Sequence, residues 1–233
     1  MTSLLTSIAF IGLTILIYQG FSFVQNKSQK IWLNPMLLAI AVITPLLLMF
    51  SISYNEFAVH TSVLSQLLEP AVVALGFPLY QHLPTIRKHW LSICMTLFVA
   101  TIIAITLSFF MTIYLVGEPE VAVSLALKSI TTPIGLALTA EFNGNQAITA
   151  IAIIIAGMVG AILGLKWLSF LNIHSIKAQG LGIGAASHAL GTATIRQVSY
   201  QHAAYSSVAL IVSAIFTAFI SPLLFPLMLS VTR

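Results

Sequence analysis

Residues 128–133 read Lys-Ser-Ile-Thr-Thr-Pro, and residues 180–193 read GLGIGAASHALGTA. How these two polar, breaker-rich stretches are read decides the fold, because the rest of the chain is close to pure hydrocarbon. Of 233 residues, 59% are hydrophobic and 6% charged, and the mean hydropathy is +1.05. A soluble domain carries about a quarter charged residues, and 6% is too few to cover a water-facing surface. Runs free of Asp, Glu, Lys and Arg occupy 1–26, 31–55, 89–117, 142–165 and 197–232. A bilayer-spanning helix needs about 20 apolar residues. The sequence therefore predicts an all-α polytopic membrane protein, one integral membrane domain over 1–233.

Full spans are predicted at about 3–24, 33–53, 61–83, 91–116, 146–170 and 203–230. The apolar stretch of the first is longer than the h-region of a signal peptide and lacks a basic start, so it reads as a retained helix. Pro45 is expected to kink the second span. Glu69-Pro70 and Pro78 mark the third as bent or broken. The fourth reads as a plain scaffold helix against lipid. Gly157, Gly160 and Gly164 put small residues on the fifth, where another backbone can approach closely. Lys27 and Lys30, then Arg87 and Lys88, fall in alternate loops, while the loops between them hold Glu56, or Glu118 and Glu120. The positive-inside rule puts the basic loops in the cytoplasm and the N-terminus outside. Lys166 and Lys177 obey it only if 121–142 turns back without crossing. The expectation is about six full transmembrane helices plus one or two broken or re-entrant segments.

The two opening stretches carry the chemistry. A charge at mid-membrane costs about 2.5–3.5 kcal/mol on insertion scales, so Lys128 is a functional residue by default. Ser129, Thr131 and Thr132 add hydroxyls beside it. A break at Thr132-Pro133 starts a half-helix whose free N–H groups and partial positive charge attract an anion. Gly180, Gly182, Gly184 and Gly191 cost about 1 kcal/mol each in a helix interior relative to alanine and favour unwinding. Ser187, His188 and Thr192 supply polar atoms there. Two interrupted segments of this kind match the discontinuous helices of secondary transporters. The residues that would bind a substrate are Lys128, Ser129, Thr131, Thr132, Pro133, Ser187, His188, Gly191 and Thr192. Glu69, Glu141 and Arg196 are candidate proton or charge partners. The competing reading pairs Lys128 with Glu141 or Glu69 to hold the bundle, and treats the glycines as a packing face.

Other classes fit poorly. The net charge of +4 sits at the ends of apolar runs, not on a stripe that would take nucleic acid. One cysteine, Cys94, forms no intrachain disulfide. Neither metal-ligand spacing, nor a phosphate-binding loop, nor a nucleophile–base set is visible, so no cofactor and no enzyme activity are expected.

At the two focal stretches the sequence resembles the LrgB/CidB family of bacterial membrane proteins. The resemblance rests on Lys128-Ser129-Ile130-Thr131-Thr132-Pro133-Ile134 and on Gly182 followed by Ser187-His188-Ala189-Leu190-Gly191-Thr192-Ala193. The stretches Pro70 to Leu75 and Phe77-Pro78-Leu79-Tyr80 add to it. One departure is that relatives carry a basic residue directly after Gly-Thr-Ala, where this chain has Thr194 and then Arg196 two further on. The resemblance implies a bacterial inner-membrane protein. It also implies a small membrane partner of the LrgA/CidA type, and it is compatible with a homo-oligomer. Family members are described as holin- or antiholin-like regulators of murein hydrolase export and lysis. Relatives also include carriers of small monocarboxylates such as pyruvate, glycolate or glycerate. A cation, hydroxyls and helix breaks favour the carrier reading; the lysis-regulator reading stays open beside it.

Overall fold

The computed structural model describes residues 2–28, 33, 35–67, 70, 80, 83–196 and 198–232. Every regular element among them is an α-helix. They form two compact units, Met1–Val73 and Ala74–Arg233.

In the first unit, α1 (Thr2–Ser28) packs on α2 (Pro35–Met49) and α3 (Tyr54–His60), with α4 (Ser62–Gln66) following. Phe10 meets Phe57 edge-on at 5.6 Å, and the Ser7 hydroxyl lies 2.8 Å from His60 Nδ1. Helix α2 runs through Pro45. The expected kink falls later, at 50–53, where Ser51 takes φ 55 and Ser53 caps α3 through the Glu56 N–H. Leu38–Met49 and Tyr54–His60 are bent by 116°, so the second predicted span, about 33–53, holds only the first helix of a bent pair. Among the described residues four helices are long and apolar enough to cross a bilayer, or up to five with that pair. The expected count of about six is thus slightly high; the third predicted span, with Glu69 and Pro78, lies largely outside the described residues.

The second unit contains three long helices: α5 (Leu83–Val116), α8 (Gln146–Phe170) and α10 (Tyr200–Val231). His89 (φ −132, ψ 20) breaks α5 near its start, leaving His89–Val116 as the span. Between α5 and α8 lie two half-helices, α6 (Pro119–Ala126) and α7 (Thr132–Glu141). Between α8 and α10 lies α9 (Ile176–Ile195).

Both intervening segments fold back on themselves. The chain after α7 returns to the start of α6: the Asn145 backbone N–H donates to Ser124 Oγ at 2.7 Å, and its side-chain amide to Glu120 Oε1 at 3.2 Å. Ser124 O accepts from Thr149. So α6 and α7 form a hairpin whose tip is the unwound stretch 127–131. Helix α9 doubles back at His188, whose backbone (φ 40, ψ −136) is far from helical. A Cβ on Gly191 would lie 2.8 Å from the Ile183 side chain, although eight residues of straight helix would separate them by about 12 Å. His202 Nε2 and Gln179 Oε1 are 2.9 Å apart, so the starts of α9 and α10 lie together.

The first hairpin therefore opens beside the start of α8 and the second beside its end. With 25 residues, α8 is about 37 Å long, so the two hairpins open at opposite ends of the unit. Each packs on a different half of α5 and α10. Ala122, Val123, Leu127, Ile130 and Leu138 of the first hairpin join Ile105, Phe109, Ala214, Phe225 and Met228. Leu181 and Ala185 of the second join Ile93, Leu97, Val208 and Ala209. Lipid tails are as apolar as these side chains, so close packing rather than water exclusion holds them. Charge is segregated accordingly. Lys166, Lys177 and Arg196 lie at the second hairpin's open end, and Glu118, Glu120 and Glu141 at the first's.

Close approach fixes the second hairpin. A Cβ on Gly184 would lie 2.1 Å from the backbone oxygen of Ser206, whereas one on Gly182 would meet nothing nearer than 3.8 Å. Gly184→Ala should cost about 1–3 kcal/mol through overpacking and lower the melting temperature in detergent. Gly182→Ala should leave it unchanged or raise it slightly. Equal melting of the two variants would contradict this packing.

Candidate functional site

The tip of the first hairpin contains the lysine. Helix α6 ends at Ala126, and α7 begins at Thr132 with Pro133 in its first turn, where a missing N–H costs nothing. Thr131 is the N-cap residue; its hydroxyl is buried and has no hydrogen-bond partner among the described residues. Lys128, half-buried in the break, donates from Nζ to Ser108 Oγ on α5. Ser108 in turn donates to the Leu125 carbonyl at 3.0 Å, satisfying one oxygen freed where α6 ends. Among the described residues Lys128 has no carboxylate partner. Glu141 is exposed at the far end of α7, Arg196 is exposed in the turn before α10, and Glu69 lies outside the described residues.

The tip of the second hairpin rests on α8. His188 is 4% exposed, and its Nε2 lies 2.8 Å from the Ile153 carbonyl of α8. The glycines of α8 make room for it. A Cβ on Gly157 would lie 2.6 Å from the His188 ring, and one on Gly160 would overlap the Ser187 side chain. Small residues here let the tip of one segment sit against the backbone of a span, as the glycine spacing predicts. Thr192 Oγ1 donates to the His188 carbonyl at 2.8 Å and shares a 2.7 Å hydrogen bond with Ser206 of α10. Gly191 faces Ser187 across the hairpin.

The two tips flank α8 from opposite ends. The Ile153 carbonyl is at the second tip, and the Ile153 side chain lies where a Cβ on Gly135 of α7 would be, at 2.7 Å. Lys128, Ser129, Thr131, Thr132 and Pro133 are gathered at one tip, and Ser187, His188, Gly191 and Thr192 at the other.

Helix α5 is not the plain scaffold expected from its composition. It supplies Ser108 to the lysine, and Thr101 is 6% exposed on the same face, seven residues earlier. On α10, Ser213, Thr217 and Ser221 repeat at intervals of four on one buried face. The Ser213 hydroxyl is buried without a partner. The signal available in the sequence is hydroxyls at helical spacing inside apolar runs, with no charge or helix breaker to mark them.

His188 is held at a φ that side-chain-bearing residues seldom adopt, at a cost of about 1–3 kcal/mol. His188→Gly and His188→Ala both remove the bond to Ile153, but only glycine relieves the backbone. The glycine variant should melt higher than the alanine variant by an amount in that range. Equal stability would mean that His188 is not at the turn.

Residues 14–227 match the model of the LrgB-like family. "Holin-like protein CidB" of Staphylococcus aureus is 33% identical over 228 residues, covering 96% of this chain and 98% of that protein. "Uncharacterized protein YwbG" of Bacillus subtilis is 29% identical over 216 residues, 93% and 96% of the two chains. An uncharacterized protein of Haemophilus influenzae is 28% identical over 204 residues, 88% of each. No solved structure matches. By its family match and its helical, apolar architecture, the chain is a multi-pass membrane protein that belongs to the LrgB-like family.

Proposed function

We propose that this protein is a secondary transporter, or the main subunit of one, for small monocarboxylates such as pyruvate, glycolate or glycerate. The observation that carries the reading is the pair of interrupted hairpins that open at opposite ends of the unit and bring polar tips to the same span. Non-helical backbone at membrane depth is tolerated where it is buried in protein or lines a cavity. Oppositely oriented elements of this kind are a means of exposing one site to two sides in turn. Lys128 and the N–H groups at the start of α7 would hold the carboxylate, with the unpartnered Thr131 hydroxyl beside them. Ser187, His188 and Thr192 would meet its hydroxyl or keto group. The protein moves its ligand without chemical change and is not an enzyme on this reading.

We place it in the bacterial inner membrane with the basic end of the second unit in the cytoplasm, following the positive-inside rule. A small LrgA/CidA-type membrane protein is the partner we propose. The name of the Staphylococcus aureus relative favours a second reading, a holin-like regulator of murein hydrolase export that acts through membrane permeability.

Uptake of radiolabelled acid into proteoliposomes separates these readings. The carrier should give saturable uptake of one acid and no leakage of a trapped dye. Lys128→Met should reduce uptake at least a hundredfold with normal expression, because it removes the site's charge (~3 kcal/mol for a charge-assisted bond). Undiminished uptake by that variant would remove Lys128 from the site, and dye leakage without uptake would favour the holin-like reading.

Orientation has its own test. With Cys94→Ala as background, an impermeant maleimide added to intact spheroplasts should label Glu118→Cys and spare Lys177→Cys. Labelling of Lys177→Cys alone would invert the topology.

A further inference from the structure

The two apolar clusters leave a gap on α5 between Leu97 and Ile105, and on α10 they interleave, with Val212 and Phe216 of the second cluster on either side of Ala214 of the first. The second hairpin's cluster uses Ile93 and Leu97 of α5 and Val208 and Ala209 of α10. The first hairpin's cluster begins at Ile105 and Ala214. Between them lies a partly open cavity of about 210 Å³, lined by Thr101 and Ala104 of α5, Ser129 of the first tip, Ala185 of α9, and Ser213 and Thr217 of α10. It sits near mid-length of both long helices, which run His89–Val116 and Tyr200–Val231.

Three features separate this space from a packing defect. First, Ser213 is 5% exposed and its hydroxyl has no partner. A buried hydroxyl without a hydrogen bond is costly, and here it borders a space that would hold one. Second, Ser108, which accepts from the Lys128 ammonium, lies one turn beyond the cavity-lining Ala104 on the same face of α5. Third, a second space of about 460 Å³ adjoins the cavity, shares Ala100, Gly182 and Ala185 with it and reaches Ser175 and Lys177 at the basic end. On the acidic side the first cluster closes it, with Phe109 and Phe225 fully buried.

We infer that this mid-helix cavity is the seat of the transported acid, open in this conformation toward the basic end, with Ser213 donating a hydrogen bond to the oxygen on carbon 2. The inference rests on the carrier reading and, in this conformation, gives the contact with the oxygen on carbon 2 to Ser213 in place of Ser187, His188 and Thr192, none of which lines the cavity. Pockets for drug-sized ligands run to about 300–1,000 Å³. A volume of about 210 Å³ is enough for a short 2-oxo or 2-hydroxy acid with residual water. Small residues line the approach, so only the hydroxyls and the lysine select.

The test is substrate protection. Gly182→Cys, on Cys94→Ala, is placed where both spaces meet, and inverted vesicles expose the basic end to an impermeant thiosulfonate. Pyruvate should slow modification saturably. Adding Ser213→Ala should raise the half-protecting pyruvate concentration about tenfold, as expected for one hydrogen bond, while the weaker protection by propionate, which lacks the oxygen on carbon 2, should not change. Pyruvate uptake by the same vesicles without protection of Gly182→Cys would overturn the cavity and leave the carrier reading standing. Protection without any uptake would support the cavity and end the carrier reading. Unaltered half-protection in the Ser213→Ala variant would overturn the assignment of Ser213.

Discussion

Hydrocarbon offers no hydrogen bonds, so every peptide group that leaves a helix inside the bilayer must find a partner in the protein. The second unit depends on meeting that demand at two places. Where α6 ends, the Leu125 carbonyl accepts from Ser108, which also accepts from Lys128. Where α9 turns, the His188 ring bonds to the Ile153 carbonyl, and the His188 carbonyl accepts from Thr192. Neither break would survive against lipid. The three long helices exist, structurally, to enclose them, and the glycines of α8 are what allow the second tip to reach the interior.

The enclosure has a simple plan. Helices α5 and α10 run in the same direction, α8 runs against them, and one hairpin fills each end. Because α5 and α10 are shared, a change in the packing of one hairpin is felt along the same two helices by the other. A seam on α5 separates the buried members of the two apolar clusters, between Leu97 and Ile105. It is where the hydroxyls of Thr101, Ser129, Ser213 and Thr217 collect. Apolar packing at both ends and polarity in the middle is what a protein needs if it is to close alternately around a small polar solute.

Much of this was legible in the sequence, and the reason is local. Proline, clustered glycine and an isolated charge disfavour helix regardless of context, so the break at 127–131 and the interruption near His188 could be located from residue types alone. The charge distribution also carried topological information: Lys166 and Lys177 fall on the side of Arg87 and Lys88 only if 121–142 turns back, and the Asn145 contacts with Glu120 and Ser124 close that segment into a hairpin. The rest depended on partners distant in sequence. That the turn in α9 falls on a histidine rather than on one of its glycines depends on the Ile153 carbonyl, 35 residues away. That α2 passes through Pro45 and bends at 50–53 depends on the capping by Ser53 and on contacts with α1. Ser108 and Ser213 looked like ordinary hydroxyls in apolar runs until the lysine and the cavity were set beside them.

The claim that matters most is that a bound solute, rather than a pore, links the two sides. Counterflow tests it directly. Proteoliposomes are loaded with unlabelled pyruvate and diluted into a trace of labelled pyruvate without any ion gradient. A carrier with one site exposed alternately should concentrate the label inside transiently, above its external level, because outward movement of the unlabelled acid returns the site loaded. A permeability pathway can only equilibrate the label. Transient accumulation is the predicted result; simple equilibration, at a rate independent of the internal acid, would contradict the account.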